Sequence, residues 1–366
     1  MLDVVSIQDD PESPHRATVR RTLFLLLALV TGGCSTFPSP VLNRPPEFQR
    51  GVALGLFNTD DRSYEERYDE ELREIRSLGA TDVSLVITWV QDDVTAAEVR
   101  SEAGYTAPSS LIRRVVRRAH ELGMRVMLFP ILRLIHRTPE QWRGVIHPVD
   151  PARWFSTYGQ LLEDLTALAA GERVEWISVG SEIVALENRT SDWERLIRRT
   201  REIFRGRLLY SANWDHFLNV PFWSSLDSVG ISAYWAVTPP GERPTTEGAV
   251  SAWRRMREGL REFSRRVRRP LVFTEVGYPA AFGAGAAPWN DFLTGAEGAK
   301  DLEAQRCLYE AFAIAWNDEP MLSGVFFWLW LSPGGFEDLG HTPRGKPAEL
   351  VLHNWYRPRE MLPPAR

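Results

Sequence analysis

From Gly51 onward, short apolar runs alternate with longer stretches in which apolar residues recur every three or four positions. Apolar runs bounded by turn residues predict buried strands, and the longer recurrence predicts amphipathic helices. Eight strands are expected, over Val52–Phe57, Asp82–Val90, Arg125–Ile131, Val174–Ser181, Arg207–Trp214, Ser228–Trp235, Leu271–Val276 and Ser323–Leu331. Helices are expected between them over Tyr68–Leu78, Ser109–Leu122, Pro151–Ala170, Asp192–Phe204, Ala249–Arg266 and Asp301–Asn317. Ser109-Ser110 and Asp192 stand where N-caps belong, and Gly123 stands where a helix ends. Strands alternating with helices predict a parallel sheet. Eight of them in about 300 residues suit a single (β/α)8 TIM barrel, whose active site lies at the C-terminal ends of its strands. An open doubly wound sheet would carry a glycine-rich phosphate loop after the first strand, and Phe57-Asn58-Thr59-Asp60 is not one. The pattern shows no internal repeat and no second domain.

The first 50 residues do not share this pattern. A polar stretch ends in Arg16, Arg20 and Arg21, an apolar run follows from Leu23 to Val30, and Thr31-Gly32-Gly33-Cys34 comes next. That order predicts an export signal, and the run is too short to span a bilayer. Small residues directly before a cysteine resemble the lipobox of bacterial lipoproteins, although Thr31 stands where leucine is commonest. Residues 1–34 are therefore expected to be a signal and lipobox segment, with Cys34 as the lipid attachment site and the membrane as a partner through it. Residues 35–50, which include Pro38, Pro40, Pro45 and Pro46, read as an extended tether, and 51–360 as the catalytic domain. The expected location is the bacterial cell envelope.

Charge and composition narrow the chemistry. The 43 basic and 48 acidic residues give a net charge of −5, without the clustered positive field that nucleic acid requires. Two cysteines, Cys34 and Cys307, cannot build a disulfide framework or a cysteine zinc site. Fourteen tryptophans exceed ordinary usage and fit either a large core or a sugar-binding cleft.

Two carboxylates end apolar strands. In Val174-Glu175-Trp176-Ile177-Ser178-Val179-Gly180-Ser181-Glu182, simple alternation points Ser178, Gly180 and Glu182 into the barrel. Glu275 ends Leu271-Val272-Phe273-Thr274-Glu275 at the same end of the seventh strand. A carboxylate on an apolar strand costs desolvation energy unless it is paired or put to use. A single glutamate of this kind is most simply a salt bridge, but two facing each other across a barrel mouth point to function. Glycoside hydrolysis uses two carboxyls and needs no metal or cofactor. One protonates the leaving oxygen and the other attacks the anomeric carbon, about 5–5.5 Å away in retaining enzymes.

The motifs that surround these glutamates resemble those of glycoside hydrolase family 113, whose known members include β-1,4-mannanases. They are Trp89-Val90-Gln91, Gln141-Trp142-Arg143-Gly144-Val145-Ile146, Val179-Gly180-Ser181-Glu182 and Phe273-Thr274-Glu275-Val276-Gly277-Tyr278. Gly285-Ala286-Ala287-Pro288-Trp289, Gly324-Val325-Phe326-Phe327-Trp328-Leu329-Trp330, Arg344-Gly345-Lys346-Pro347-Ala348 and Trp355-Tyr356 follow. Their order and spacing over residues 50–356 carry the resemblance. It implies Glu182 as acid/base and Glu275 as nucleophile, on a β-linked, mannan-type carbohydrate. Many members of the wider clan have asparagine before the acid/base, where this chain has Ser181.

Further residues are candidates for substrate binding. Tyr234 should point inward and hold Glu275. Trp330, nearest the end of the eighth strand, is expected to floor the sugar at the cleavage point, with Trp328 in the core. Trp89 and Trp214 are candidate sugar platforms, Gln91 and Asn213 candidate hydroxyl ligands, and Arg143 a sugar ligand or a loop pin. Two other functions fit the same chain. One is a non-catalytic glycan-binding lipoprotein, and the other a hydrolase or transglycosylase of another β-glycan, such as a cell-envelope polysaccharide.

Overall fold

A computed structural model describes residues 44–45, 47–57, 64–290 and 298–357. Cys34, the expected signal and residues 35–43 of the expected tether lie outside the described residues. Eight strands close into a barrel in chain order, each parallel to its neighbours. They are β1 (Gln49–Gly55), β2 (Asp82–Gln91), β3 (Arg125–Leu134), β4 (Trp176–Ser181), β5 (Arg207–Asn213), β6 (Ser228–Ser232), β7 (Leu271–Val276) and β8 (Leu322–Trp330). The surrounding helices are α1 (Tyr64–Ser77), α2 (Ser109–Glu121), α3 (Pro151–Gly171), α4 (Thr190–Ile203), α5 (Thr246–Val267), α6 (Leu302–Trp316) and α7 (Pro347–Tyr356). Between β5 and β6 the chain makes only two short 3-10 turns, Phe217–Asn219 and Trp223–Ser225.

A parallel barrel buries both faces of its strands, which is why they read as nearly continuous apolar runs. Val52, Leu54, Val83, Leu85, Ile87, Val126 and Leu128 face outward and pack with Trp154, Trp193, Trp253, Trp316 and Trp355 of the helical shell. Ala53, Val86, Met127, Phe129, Ile131, Leu209, Val272 and Phe326 fill the interior.

Three strands break this alternation near their C-terminal ends. Ser178 and Ser181 of β4 pair with Leu209 and Ser211 of β5, so β4 carries one residue more than its partner. Phe273 and Glu275 of β7 pair with Ile231 and Ser232 of β6, and Phe327 and Trp330 of β8 pair with Val52 and Leu54 of β1. These are β-bulges, which re-aim every side chain beyond them.

Several boundaries differ from the sequence reading. The expected tether is packed at its end: Phe48 is buried, β1 begins at Gln49, and Arg44 Nη2 donates to the Trp316 carbonyl at 2.7 Å. β6 stops at Ser232, which leaves Tyr234 and Trp235 in the following loop. Ser109 and Asp192 are not caps, because the N-cap positions fall on Pro108 and Arg189. Asp192 instead pairs with Arg189 and Arg195 in the first turn of α4. Side-chain caps come from Asp150, Thr245 and Asp301, each accepting an N–H bond three residues on. Gly123 follows α2 at φ +74, as expected of a helix terminator.

Close packing of β7 against β8 leaves no room for a side chain at Gly277. A Cβ there would lie 2.3 Å from the Trp328 carbonyl oxygen. Gly277→Ala should destabilise the barrel by about 1–3 kcal/mol through overpacking. A lowered Tm in calorimetry is the expected result, and an unchanged Tm would show that the β8 backbone yields freely.

Candidate active site

The β4 bulge turns both Val179 and Gly180 toward the helices. Val179 joins the outer core, and a Cβ on Gly180 would point at Trp193, Tyr158 and Tyr210. The next residue, Ser181, is buried, and its hydroxyl has no partner among the described residues. Glu182 then takes the left-handed conformation, φ +55, and donates its backbone N–H to the Ser211 carbonyl at 2.8 Å. That conformation costs a non-glycine residue about 1–2 kcal/mol, so its surroundings must hold it. The Glu182 carboxylate accepts a bond from Arg143 Nη2 at 2.5 Å.

The β7 bulge does the same for the second carboxylate. Thr274 bonds Ser211 inside the barrel at 2.6 Å, so uninterrupted alternation would send Glu275 outward. The extra residue turns it inward instead. Glu275 is 2% exposed, its Oε2 accepts from the Tyr234 hydroxyl at 3.0 Å, and its Oε1 has no partner among the described residues. Burial and the nearby Glu182 charge push the Glu275 carboxyl up to about 8, while Arg143 and Tyr234 pull it down. Glu275 therefore holds a proton at neutral pH.

Arg143 opens the 3-10 turn after β3, with its side chain 17% exposed and its Nε atom without a partner among the described residues. Its loop is tied to the β2 loop through His147 N–H to Val94 O at 2.8 Å and Val149 N–H to Thr95 O at 2.9 Å. The β2 loop is held in turn by Gln91, whose amide donates to the Asp93 carbonyl at 2.7 Å and the Ala96 carbonyl at 3.2 Å. Gln91 Oε1 accepts from Trp154 Nε1 at 2.7 Å, so the side chain faces α3 with its hydrogen bonds used internally. Trp89 also faces α3, edge-on to Tyr158 at 5.2 Å. Gln91 and Trp89, expected at the sugar site, therefore face the helical shell in this structure. β2 has no bulge, and regular alternation keeps its odd-numbered positions on the helix side.

The two strand-eight tryptophans exchange their expected places. Trp330 is 1% exposed, and its Nε1 donates to Glu74 of α1 at 2.9 Å, so it belongs to the shell. Trp328 lies in the interior cluster with Tyr234, and Phe57, Trp214 and Leu331 pack against that cluster. The β8 bulge supplies the missing residue of phase. Asn213, at the end of β5, has a buried Oδ1 without a partner among the described residues. Trp214 is partly buried and stacks on Trp289, at 5.6 Å between centroids and 22° between planes. Trp289 is 46% exposed on the loop after β7. The structure thus gathers Glu182, Glu275, Arg143, Tyr234, Asn213 and Trp214 at the mouth and places Trp89, Gln91 and Trp330 behind it. Among the described residues no group of three or more His, Cys, Asp or Glu side chains could hold a metal ion.

Two buried carboxyls at the C-terminal mouth of a (β/α)8 barrel form the arrangement with which glycoside hydrolases cleave glycosidic bonds. The sequence profile of Glycoside Hydrolase Family 113 matches residues 53–337, and the chain belongs to that family. It is a glycoside hydrolase. Among solved structures, it is similar to the Family 113 β-mannanase AaManA from Alicyclobacillus acidocaldarius in complex with ManMIm. Identity is 27% and the TM-score 0.75, over 84% of this chain and 97% of that one. A Family 113 β-1,4-mannanase complex is 23% identical, with a TM-score of 0.74, over 85% of this chain and 99% of that one. A β-glucuronidase from Faecalibacterium prausnitzii shares the fold at 14% identity and a TM-score of 0.56, over 84% of this chain and 48% of that one. No curated protein matches the chain.

Trp330→Phe removes the hydrogen bond to Glu74 and keeps an aromatic ring in the shell. The variant should lose stability, with kcat/KM on any cleaved glycoside unchanged. A selective loss of activity with an intact Tm would return Trp330 to the sugar site.

Proposed function

We propose that the protein is a retaining glycosidase of β-1,4-mannan-type chains, with Glu275 as nucleophile and Glu182 as acid/base. The observation that carries this reading is the buried pair itself, one carboxyl steadied by Tyr234 and the other by Arg143. The β-mannanase name of the 27% identical neighbour supports the substrate class.

When a sugar binds, the Glu275 proton passes to Glu182 and leaves Glu275 ionised. A Glu275 oxygen attacks the anomeric carbon as the bond to the leaving oxygen breaks, and Glu182 gives that oxygen its proton. Glu182 then takes a proton from water, whose oxygen displaces Glu275 and restores it as a carboxylate. Net configuration is retained and both carboxyls return to their starting state.

The mouth is furnished for a polyhydroxylated ligand. The Ser181 hydroxyl, Asn213 carbonyl, Arg143 Nε and Glu275 Oε1, which have no partner among the described residues, would all be satisfied by sugar hydroxyls, which donate and accept. Trp328 supplies the apolar floor beneath the reacting sugar. The stacked Trp214–Trp289 pair supplies a platform farther out, where the apolar face of a second sugar can lie. We further propose that the enzyme is exported and tethered through Cys34, a reading supported by the apolar run Leu23 to Val30 and by Gly32-Gly33 before that cysteine.

Glu275→Ala should abolish turnover of β-1,4-mannan oligosaccharides and leave the circular dichroism spectrum unchanged. NMR of the first product formed by wild type should show the β anomer. An inverted product, or near-wild-type turnover by Glu275→Ala, would refute the mechanism.

The pH dependence follows from the proton held on Glu275. The reaction needs one proton to protonate the leaving oxygen, and the Glu275 carboxyl that holds it in the free enzyme is pushed up to about 8. As pH rises through about 8 that proton is lost, so kcat/KM, which reports the free enzyme, should fall on the alkaline side. A rate that stays flat well above that value would contradict the coupling.

A further inference from the structure

Behind the active site lies a buried carboxyl that the reaction does not use. Glu187 is 3% exposed and sits just beyond the 3-10 turn Val184–Leu186 that follows Glu182. Its Oε1 accepts from the Tyr210 hydroxyl at 2.9 Å, and the same hydroxyl oxygen accepts the Ile183 backbone N–H at 2.9 Å. Tyr210 therefore binds the chain on both sides of the turn, one bond falling on the residue directly after Glu182. We infer that Tyr210 and Glu187 are positioning residues for the acid/base, fixing the strained backbone that aims the Glu182 carboxyl. This inference rests on the reading of Glu182 as proton donor.

The surroundings favour positioning over mere filling. Tyr210 reaches this place because Gly180 has no side chain, since a Cβ there would stand 3.1 Å from its ring. Trp193 and Phe222 hold the ring edge-on, at 5.3 Å each. Other bonds grip the same segment. The Tyr158 hydroxyl donates to the Val179 carbonyl at 2.8 Å, and Trp193 Nε1 donates to the Leu186 carbonyl at 2.9 Å. From residue 179 to 187 the backbone is thus tied at intervals to an aromatic shell, with the left-handed Glu182 in the middle. Burial, with Glu182 and Asp215 nearby, pushes the Glu187 carboxyl up to about 8, and the Tyr210 hydroxyl bond opposes this. At neutral pH Glu187 is then a neutral acid, which accepts the tyrosine bond without adding a second negative charge beside Glu182.

The two carboxyl roles respond differently to the leaving group, and this gives the test. A glycoside with a poor leaving group needs a well-aimed proton donor, whereas a dinitrophenyl leaving group departs unaided. Tyr210→Phe keeps the ring and removes the hydroxyl. With β-1,4-mannotetraose, kcat should fall about a hundredfold, the scale of a small misplacement of a catalytic group, at unchanged KM. The pre-steady-state burst with 2,4-dinitrophenyl β-mannobioside should keep its wild-type rate. Glu187→Gln, which still accepts the tyrosine bond, should act as wild type on both substrates. Glu187→Ala should show the same discrimination as Tyr210→Phe, and it serves if Tyr210→Phe does not fold. Equal losses on both substrates, or no loss in either variant, would overturn the inference. Glu182→Gln is the control for the underlying reading. If it fails to discriminate between the two substrates, the assignment of Glu182 falls, whatever Tyr210→Phe does.

Discussion

Two glutamates buried at one barrel mouth repel each other, and most of the upper part of this structure can be understood as the means of keeping them there. A carboxylate taken from water without compensation costs several kcal/mol, and two side by side cost more. The compensation is sparse and directional. Arg143 supplies a cation to Glu182, Tyr234 supplies a hydroxyl to Glu275, and a retained proton removes one of the two charges. Arg143 stands on a loop, so its position depends on backbone bonds to the β2 loop, which depends on Gln91, which depends on Trp154 of α3. A chemical requirement at the mouth therefore reaches into the helical shell through a short series of named contacts.

The bulges at the ends of β4, β7 and β8 separate what could be read in the sequence from what could not. Strand number, order and approximate limits follow from the apolar runs, because burial on both faces leaves a strong compositional mark. The choice of Glu182 and Glu275 follows from finding charge where such runs end. Direction within the last two or three residues of a strand depends on phase, and one inserted residue reverses it. Ser178-Val179-Gly180-Ser181 and Phe326-Phe327-Trp328-Leu329-Trp330 carry no pattern that marks the insertion. Gly180, inward by simple alternation, thus faces outward, and Trp330 lies in the shell while Trp328 lies in the interior. On β2, by contrast, the phase is unbroken to the strand end, and Trp89 and Gln91 lie on the helix side.

The supporting residues were hidden for a different reason. Tyr210 and Glu187 are ordinary members of a strand and a loop, and their relation to Glu182 arises only when the turn after β4 folds back against β5. Trp289 likewise gains meaning from its stack on Trp214, 75 residues earlier in the chain. The tryptophan excess accordingly divides by location rather than by sequence. Trp154, Trp193, Trp253, Trp316 and Trp355 hold the shell, Trp328 closes the interior, and Trp214 and Trp289 rim the opening.

The anchoring of Arg44 to the end of α6 bears on how the molecule faces its surroundings. α6 runs back from the mouth, so the Trp316 carbonyl that Arg44 grips lies at the floor of the barrel, where β1 also begins. A chain that arrives at Arg44 arrives at this floor. The point where the described chain begins and the opening of the cleft are then on opposite faces of the barrel. A ligand lying across the opening would not meet the segment around Arg44.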